Sequence, residues 1–292
     1  MDSTIVLITG ANSGIGKATA IELARQGATI IMVCRNEEKG KQAQEEIKQM
    51  SFNNNIFLEL CDLSSHTSIK ALNQQIRSKY SHIDILINNA GAIFGEHQLT
   101  ADGLEQTFGV NHMGYFLLTH YLLDWVKKGK NKRIVNVASL AHKFPSSVPW
   151  GDLQLQNIPY RQFHAYGLSK LYNIYFTQVL AKQMTAEKTG ITVNCLHPGT
   201  VYTGFGGSGS KFFARLVKIG GPLLSKPKNG AKTSVYLATS PAVKDITGTY
   251  FAHRRKARIT RLAKKSANAQ RLWDKSMELA GFKRYGLVEE GA

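Results

Sequence analysis

Cysteine is scarce: the 292 residues hold three, Cys34, Cys61 and Cys195, scattered along the chain with no C-x-x-C pair. That excludes a disulfide framework and a thiolate zinc site, and it fits a reducing compartment. The three thiols read as small buried apolar groups. No apolar run approaches the roughly 18 residues that would indicate a membrane span. Met1-Asp2-Ser3-Thr4 leads straight into an apolar segment, which leaves no room for a signal or transit peptide and predicts a cytoplasmic protein. His112, His142, His164 and His197 show no metal-ligand spacing, so no metal is expected, although His164 is close enough to a motif described below to touch a ligand. Internal repeats and low-complexity linkers are absent as well.

Acidic residues are scarce in one part of the chain only. Residues 1–203 carry 19 Lys+Arg against 15 Asp+Glu, whereas residues 204–292 carry 18 against 5, so most of the net charge of +17 lies at the C-terminal end. An acidic partner surface or a solvated face explains such an excess. A nucleic-acid contact would rest on electrostatics alone, since no aromatic interleaving accompanies the charge, and none is expected.

Strand-like apolar runs alternate with helix-like stretches along nearly the whole chain. The strands are Ile5–Ile8, Thr29–Cys34, Ile56–Leu60, Ile83–Ile87, Arg133–Val137 and Ile191–Leu196. Helices are predicted over Glu37–Met50, from a Ser64 or Ser65 cap to Tyr80, from about Ala101 to Lys128, and from about His164 to Lys188. The alternation specifies right-handed βαβ units in one α/β domain spanning 1–292, doubly wound, with a parallel sheet covered by helices on both faces.

In such sheets ligands sit beyond the carboxyl ends of the strands. The residues there are Thr9 to Gly16, Arg35, Asp62 and Leu63, Asn88 to Gly91, Ser139, and His197-Pro198-Gly199. Within the first group, Gly10, Asn12, Ser13, Gly14, Ile15 and Gly16 join a strand to a helix start. Glycines there allow positive φ and close backbone approach, and a helix N-terminus offers free N–H groups to a phosphate. The spacing is G-x-x-x-G-x-G.

Arg35 stands after the second strand, where sheets that bind NAD place an acid for the ribose hydroxyls. With Lys39 one turn on, and Lys17 inside the first helix, the guanidinium suits a 2′-phosphate, which predicts NADP(H). Tyr166 and Lys170 fall on one face of a helix, one turn apart. A phenol titrates near 10 and is a poor acid–base group at neutral pH; a neighbouring ammonium is expected to pull that value down.

Together these residues resemble the short-chain dehydrogenase/reductase family over nearly the full length. The family's T-G-x-x-x-G-x-G corresponds to Thr9–Gly16, its N-N-A-G to Asn88–Gly91, and its catalytic Asn, Ser, Tyr and Lys to Asn111, Ser139, Tyr166 and Lys170. Its Pro-Gly motif corresponds to Pro198 and Gly199, followed by Val201 and Thr203. Cys34-Arg35-Asn36 with Lys39-Gly40, Val110–Phe116, Leu196–Gly199, Gly230–Leu237 and Arg271-Leu272-Trp273 resemble the retinol dehydrogenase branch. The resemblance implies a Rossmann-type oxidoreductase that interconverts an apolar aldehyde or ketone and its alcohol, with Tyr166 as acid/base. Lys170 would tune Tyr166 and hold the nicotinamide ribose, Ser139 would hold the carbonyl oxygen, and Asn111 would anchor a relay water. Gly10 to Gly16, Arg35, Lys39, Asp62, Leu63, Asn89, Ala90, Gly91, Tyr166, Lys170, Pro198, Gly199, Val201 and Thr203 would bind NADP(H). A homodimer or homotetramer is implied too, and an idle NADP-binding regulator is the alternative function.

Two stretches depart from that pattern. Relatives often carry an apolar anchor before the first strand, which this sequence does not show. The run from His253 to Lys265 is unusually basic and opens a basic extension, 253–292. Residues 203–227, where the family covers its substrate, mix Phe and Leu with Lys and Arg. They are expected to form a lid, with a packed amphipathic helix and a peripheral contact with an anionic membrane as the other readings.

Overall fold

A computed structural model describes residues 1, 3–199 and 226–288. Eight strands form one sheet in the order β3-β2-β1-β4-β5-β6-β7-β8. They are β1 (Ile5–Thr9), β2 (Thr29–Cys34), β3 (Ile56–Leu60), β4 (Ile85–Asn88), β5 (Arg133–Val137), β6 (Thr192–His197), β7 (Tyr250–Ala252) and β8 (Arg255–Lys256). Every pairing is parallel except β7 with β8.

Alternation along the strands divides the core in two. Leu7, Ile31, Leu86, Ile134 and Val193 face one layer, built on α3 (His66–Lys79), α5 (Gly114–Lys128), α6 (Gln162–Ala186) and α8 (Ser266–Ala280). Val6, Ile8, Ile30, Met32, Ile85, Ile87 and Val135 face the other, built on α1 (Gly14–Arg25), α2 (Glu37–Ser51) and α7 (Pro227–Thr239). The chain steps from β1 out to β3 and then returns to lay β4 on the far side of β1. That reversal opens a crevice at the carboxyl ends of β1 and β4, where doubly wound sheets take their ligands.

The structure settles or shifts several predicted bounds, with local causes. Ser65, not Ser64, caps α3, its hydroxyl accepting from Ser68 N. β4 starts at Ile85, and the buried Asp84 just before it adds carboxylate bonds from Ile5 N at 2.8 Å and Lys130 N at 2.6 Å to its main-chain bonds with Ile5 and Arg133. The helix expected from Ala101 starts at Gln106, since Gly103 adopts φ 75° and the Glu105 carboxylate caps Thr107 N and Phe108 N, each at 2.7 Å. It then runs as one turn, α4 (Gln106–Phe108), a π-helical turn Gly109–Met113, and α5. The basic run from His253 turns β7 into β8 and leads to α8.

Trp273 of α8 lies edge-on to Phe116 of α5, with centroids 5.2 Å apart, and stacks on Phe176 of α6. Tyr285 donates to the Phe116 carbonyl at 2.6 Å. The C-terminal segment thereby seals the α5–α6 face. All three cysteines are free and buried, as their apolar reading requires.

Candidate active site

The glycine loop has the conformation its sequence demands. Gly10 and Gly14 take φ 68° and 54°, values that L side chains rarely adopt. A Cβ at Gly16 would be driven into the Gly10 carbonyl, and one at Gly10 would sit 3.0 Å from Ala90 Cα. Ser13 stands at the N-cap of α1, yet its hydroxyl accepts no cap hydrogen bond, so the first-turn N–H groups face outward for a ligand. The loop is stitched to the end of β4: Thr9 Oγ1 accepts from Asn89 N and Ala90 N at 2.9 Å each, and Asn89 Nδ2 donates to Thr9 O at 2.8 Å. This cradle of missing side chains and unpaired amides at a helix start fits a dinucleotide pyrophosphate.

Beyond β2, Arg35 is 69 % exposed, with Asp62 Oδ2 3.6 Å away as its ionic neighbour. Asp62 is itself held in place, Oδ1 accepting from Ser64 N at 2.9 Å and Ser64 Oγ at 2.7 Å, and Leu63 beside it is buried. Asn36 caps α2 through Lys39 N, which leaves the exposed Lys39 ammonium on the first turn of that helix. Lys17 does not join them. Its ammonium binds Glu46 of α2 at 2.5 Å, so the expected second cation near Arg35 is Lys39 alone.

Ser139, at the end of β5, hydrogen-bonds the Tyr166 phenol and accepts from Ala141 N at 3.2 Å. Gly167 makes this approach possible: a Cβ there would lie 2.8 Å from the Ala141 carbonyl, so only glycine lets α6 meet the loop after Ser139. Lys170, one turn on, is 1 % exposed and donates to the Val137 carbonyl at 3.0 Å. Its Nζ faces two aromatic rings, Tyr166 at 5.5 Å and Tyr115 at 5.7 Å. Gly91 leaves the space for it, since a Cβ there would come within 3.2 Å of that ammonium. Desolvation brings Lys170 down to about 7.

Tyr166 differs from expectation. Burial pushes its phenol up to about 12, and the Ser139 hydrogen bond offsets this only in part. The ammonium that was to lower it points at the Val137 carbonyl and is itself partly discharged, so desolvation outweighs attraction.

Asn111 sits in the π-helical turn, a distortion common at functional sites. Its Oδ1 accepts from Ala92 N and its Nδ2 donates to Ala92 O, each at 2.8 Å, with a third bond from Nδ2 to Ser169 Oγ at 3.1 Å. The side-chain amide therefore fastens the segment after Gly91 to α6: both of its N–H donors are used, and Oδ1 keeps one lone pair.

Gly199 adopts φ 86° after Pro198, and its N–H donates to His197 Nδ1 at 3.0 Å. Val201, Thr203 and nearly all of 203–227 lie outside the described residues.

Sequence reasoning missed the contacts that two side chains make at this site. Tyr115 follows Asn111 by four residues, one helical turn, and so shares its face toward Lys170; that spacing was a usable signal. His142, fully buried, holds Ser139 from behind, Nδ1 lying 2.7 Å from its carbonyl, and no spacing announces it. His164 is half-buried on the first turn of α6.

A family model described as short chain dehydrogenase matches residues 4–150. Mouse retinol dehydrogenase 12 is 38 % identical over 277 residues, covering 95 % of this chain and 86 % of that protein. Human retinol dehydrogenase 13 is 38 % identical over 293 residues, covering 98 % and 87 %. Among solved structures, an uncharacterised protein from Mycobacterium paratuberculosis superposes with a TM-score of 0.76 at 30 % identity, covering 96 % of this chain and 94 % of that one. A short chain dehydrogenase from Shigella flexneri complexed with NADP shares the fold, with a TM-score of 0.68 at 24 % identity over 87 % and 98 %. The glycine cradle, the Ser139–Tyr166–Lys170 group and this likeness over almost the whole length converge: the chain belongs to the short-chain dehydrogenase family, in its retinol dehydrogenase branch.

Proposed function

We propose that this protein is an NADP(H)-dependent oxidoreductase that interconverts an apolar aldehyde or ketone and its alcohol, retinoid-like or otherwise. The carrying observation is the convergence of Ser139, Tyr166 and Lys170 at the carboxyl end of the sheet, beside a cradle shaped for a dinucleotide. NADP(H), when bound, supplies or takes up the hydride. Gly10 to Gly16 would hold its pyrophosphate and Asn89 to Gly91 its nicotinamide side. Pro198 and Gly199, with Val201 and Thr203, would continue that contact. Arg35 and Lys39 would meet the 2′-phosphate, and Asp62 and Leu63 the adenine.

Tyr166 is a neutral phenol at physiological pH, the form needed to give a proton to the oxygen of a reduced carbonyl. Ser139 holds that oxygen and stabilises the charge developing on it. Lys170 supplies positive potential to the phenol and takes up the ribose hydroxyls. A water relay from Lys170 would be anchored at Asn111, whose Oδ1 keeps one lone pair beside its bond from Ala92 N. The phenol favours the reductive direction at neutral pH, since oxidation needs the phenolate.

The test is the oxidation of NADPH and of NADH, followed at 340 nm in absorbance, with retinal, aliphatic aldehydes and ketones, for the native protein and Tyr166→Phe. Turnover by the native protein that prefers NADPH, lost in the variant while NADPH still binds, is the expected result. Substantial turnover by the variant would overturn the assignment of Tyr166. No turnover with any carbonyl or alcohol, despite NADPH binding, would favour the idle regulator.

A further inference from the structure

The basic stretch is the feature that oxidoreductase chemistry leaves unused. Seven Lys and Arg side chains between Arg254 and Lys265 are all exposed. No acidic residue occurs between Asp245 and Asp274. Among the described residues, none of the seven enters an ion pair. The stretch begins as a two-residue hairpin in which His253 and Arg254 both take positive φ, 48° and 62°. Such turns are normally built from Asn and Gly. Here a cation occupies the tip at the expense of backbone comfort.

Charge on an edge strand commonly prevents sheets from pairing edge to edge. One or two lysines suffice for that, and they belong on the strand itself. In this chain β8 supplies only Arg255 and Lys256, while the charge continues past it to Lys265, where the chain packs on α6 through Leu262 O and Ala263 O. The result is a run of seven exposed cations without a carboxylate partner among the described residues, reaching from the last strand of the sheet to α6.

Its upper end lies at the mouth of the candidate site. β7 is parallel to β5 and β6, so the His253-Arg254 tip stands at the same end as Ser139 and Gly199, and His253 Cε1 would lie 3.7 Å from a Cβ on Gly199. The loop after Ser139 exposes Leu140 and Phe144 at that end. Exposed cations beside exposed apolar side chains match a bilayer surface, where headgroup phosphates and carboxylates meet the cations. It presents neither an aromatic stacking platform nor a helix to enter a nucleic-acid groove.

We propose that the strip from Arg254 to Lys265 docks the protein on anionic phospholipid, setting the mouth of the site at the membrane surface. The choice of a bilayer over other polyanions rests on the apolar-substrate reading above.

The experiment is co-sedimentation of the full-length chain with phosphatidylcholine vesicles with and without phosphatidylserine, for the native protein and for Arg255→Gln/Lys256→Gln/Arg258→Gln/Arg261→Gln. NADPH oxidation with a water-soluble aldehyde is measured in parallel. Native protein should bind only vesicles containing phosphatidylserine, and less as salt rises. At about fivefold per cation, the quadruple variant should bind on the order of several hundredfold more weakly. Its circular dichroism and its turnover of soluble aldehyde should equal the native values. Indifference to phosphatidylserine, or equal binding by the variant, overturns the proposal. So does salt-sensitive retention on DNA without vesicle binding, which would assign the strip to nucleic acid. Vesicle binding that disappears in the variant while neither protein oxidises NADPH supports the docking strip and defeats only the catalytic reading.

Discussion

Lys170 is an ammonium group in a place that punishes charge. Burial lowers it from the ordinary 10.5 to about 7, and its compensation is one carbonyl at 3.0 Å and two aromatic faces. In the unfolded chain the same group stays protonated up to about 10.5, so between these values the unfolded state binds the extra proton and native stability rises with pH. Below pH 7 the burden is complete. At about 1.4 kcal/mol for each tenfold, it amounts to roughly 5 kcal/mol at pH 6 and falls to about 1.5 kcal/mol at pH 9.5.

Lys170→Met keeps the apolar stem and removes the charge, while stranding the Val137 carbonyl at about 1–3 kcal/mol. The variant should therefore be more stable than the native protein at pH 6, and its advantage should shrink by about 3 kcal/mol at pH 9.5. Urea unfolding of both proteins at the two pH values measures this directly. A pH-independent difference, or a variant less stable at pH 6 than at pH 9.5 relative to native, would refute the picture of a desolvated ammonium. The same substitution should abolish turnover, because it removes the positive potential beside Tyr166.

Arg35→Ala should raise KM for NADPH roughly 10- to 100-fold, the equivalent of a charged hydrogen bond of about 1.5–3 kcal/mol, and leave KM for NADH nearly unchanged; steady-state kinetics with both cofactors checks it. Gly16→Ala forces a methyl group into the Gly10 carbonyl, so NADPH fluorescence on titration should show binding lost, with a lowered unfolding midpoint. His112, His120 and His197 are buried and held neutral, at about 3, 4 and 4 against an ordinary 6.5. The unfolded chain takes up the protons first, so stability is fully present above pH 6.5 and declines as pH falls toward 4. The three together should remove on the order of 5 kcal/mol by pH 5, and denaturant midpoints across pH 5–7 would show it.

What the sequence revealed about this molecule was whatever depends on local pattern. β2, β3 and β5 have the predicted ends because apolar β-rich runs stop at turn residues, and Gly10, Gly14 and Gly16 declared their loop because only glycine tolerates those φ values and contacts. Asn111, Ser139, Tyr166 and Lys170 were singled out through family spacing, and the structure brings Ser139, Tyr166 and Lys170 together. Their energetics were not legible that way, because desolvation depends on what packs around a group: Tyr166 is raised by neighbours distant in sequence, and Lys17 is diverted to Glu46, 29 residues away. The hold of His142 on Ser139 was not legible for the same reason, since its partners are a backbone carbonyl and Tyr250. The β7–β8 hairpin was missed because its turn is His-Arg rather than a glycine pair, and β8 has only two residues, both charged.

A site that carries a desolvated lysine beside a phenol must be held rigidly, and apolar packing alone fixes a helix's axial position poorly. Here a polar thread supplies the register. Asn88 Nδ2 donates to Asn136 Oδ1 at 2.9 Å and to Thr119 Oγ1 at 3.0 Å, joining β4 to β5 and α5. Asn136 Nδ2 continues to Thr177 Oγ1 at 2.9 Å, and that hydroxyl donates to the Asn173 carbonyl at 2.7 Å within α6. All of these side chains are fully buried, so each bond lacks competition from water, and a slipped helix would strand several polar groups at once. The thread thus ties the helix bearing Tyr166 and Lys170 to the strand whose end meets the glycine cradle. Asn111 repeats the device one layer up, binding Ala92 and Ser169 together. The glycine cradle and the Tyr166 phenol sit on different elements of the fold, and these amides are what make their separation a fixed distance.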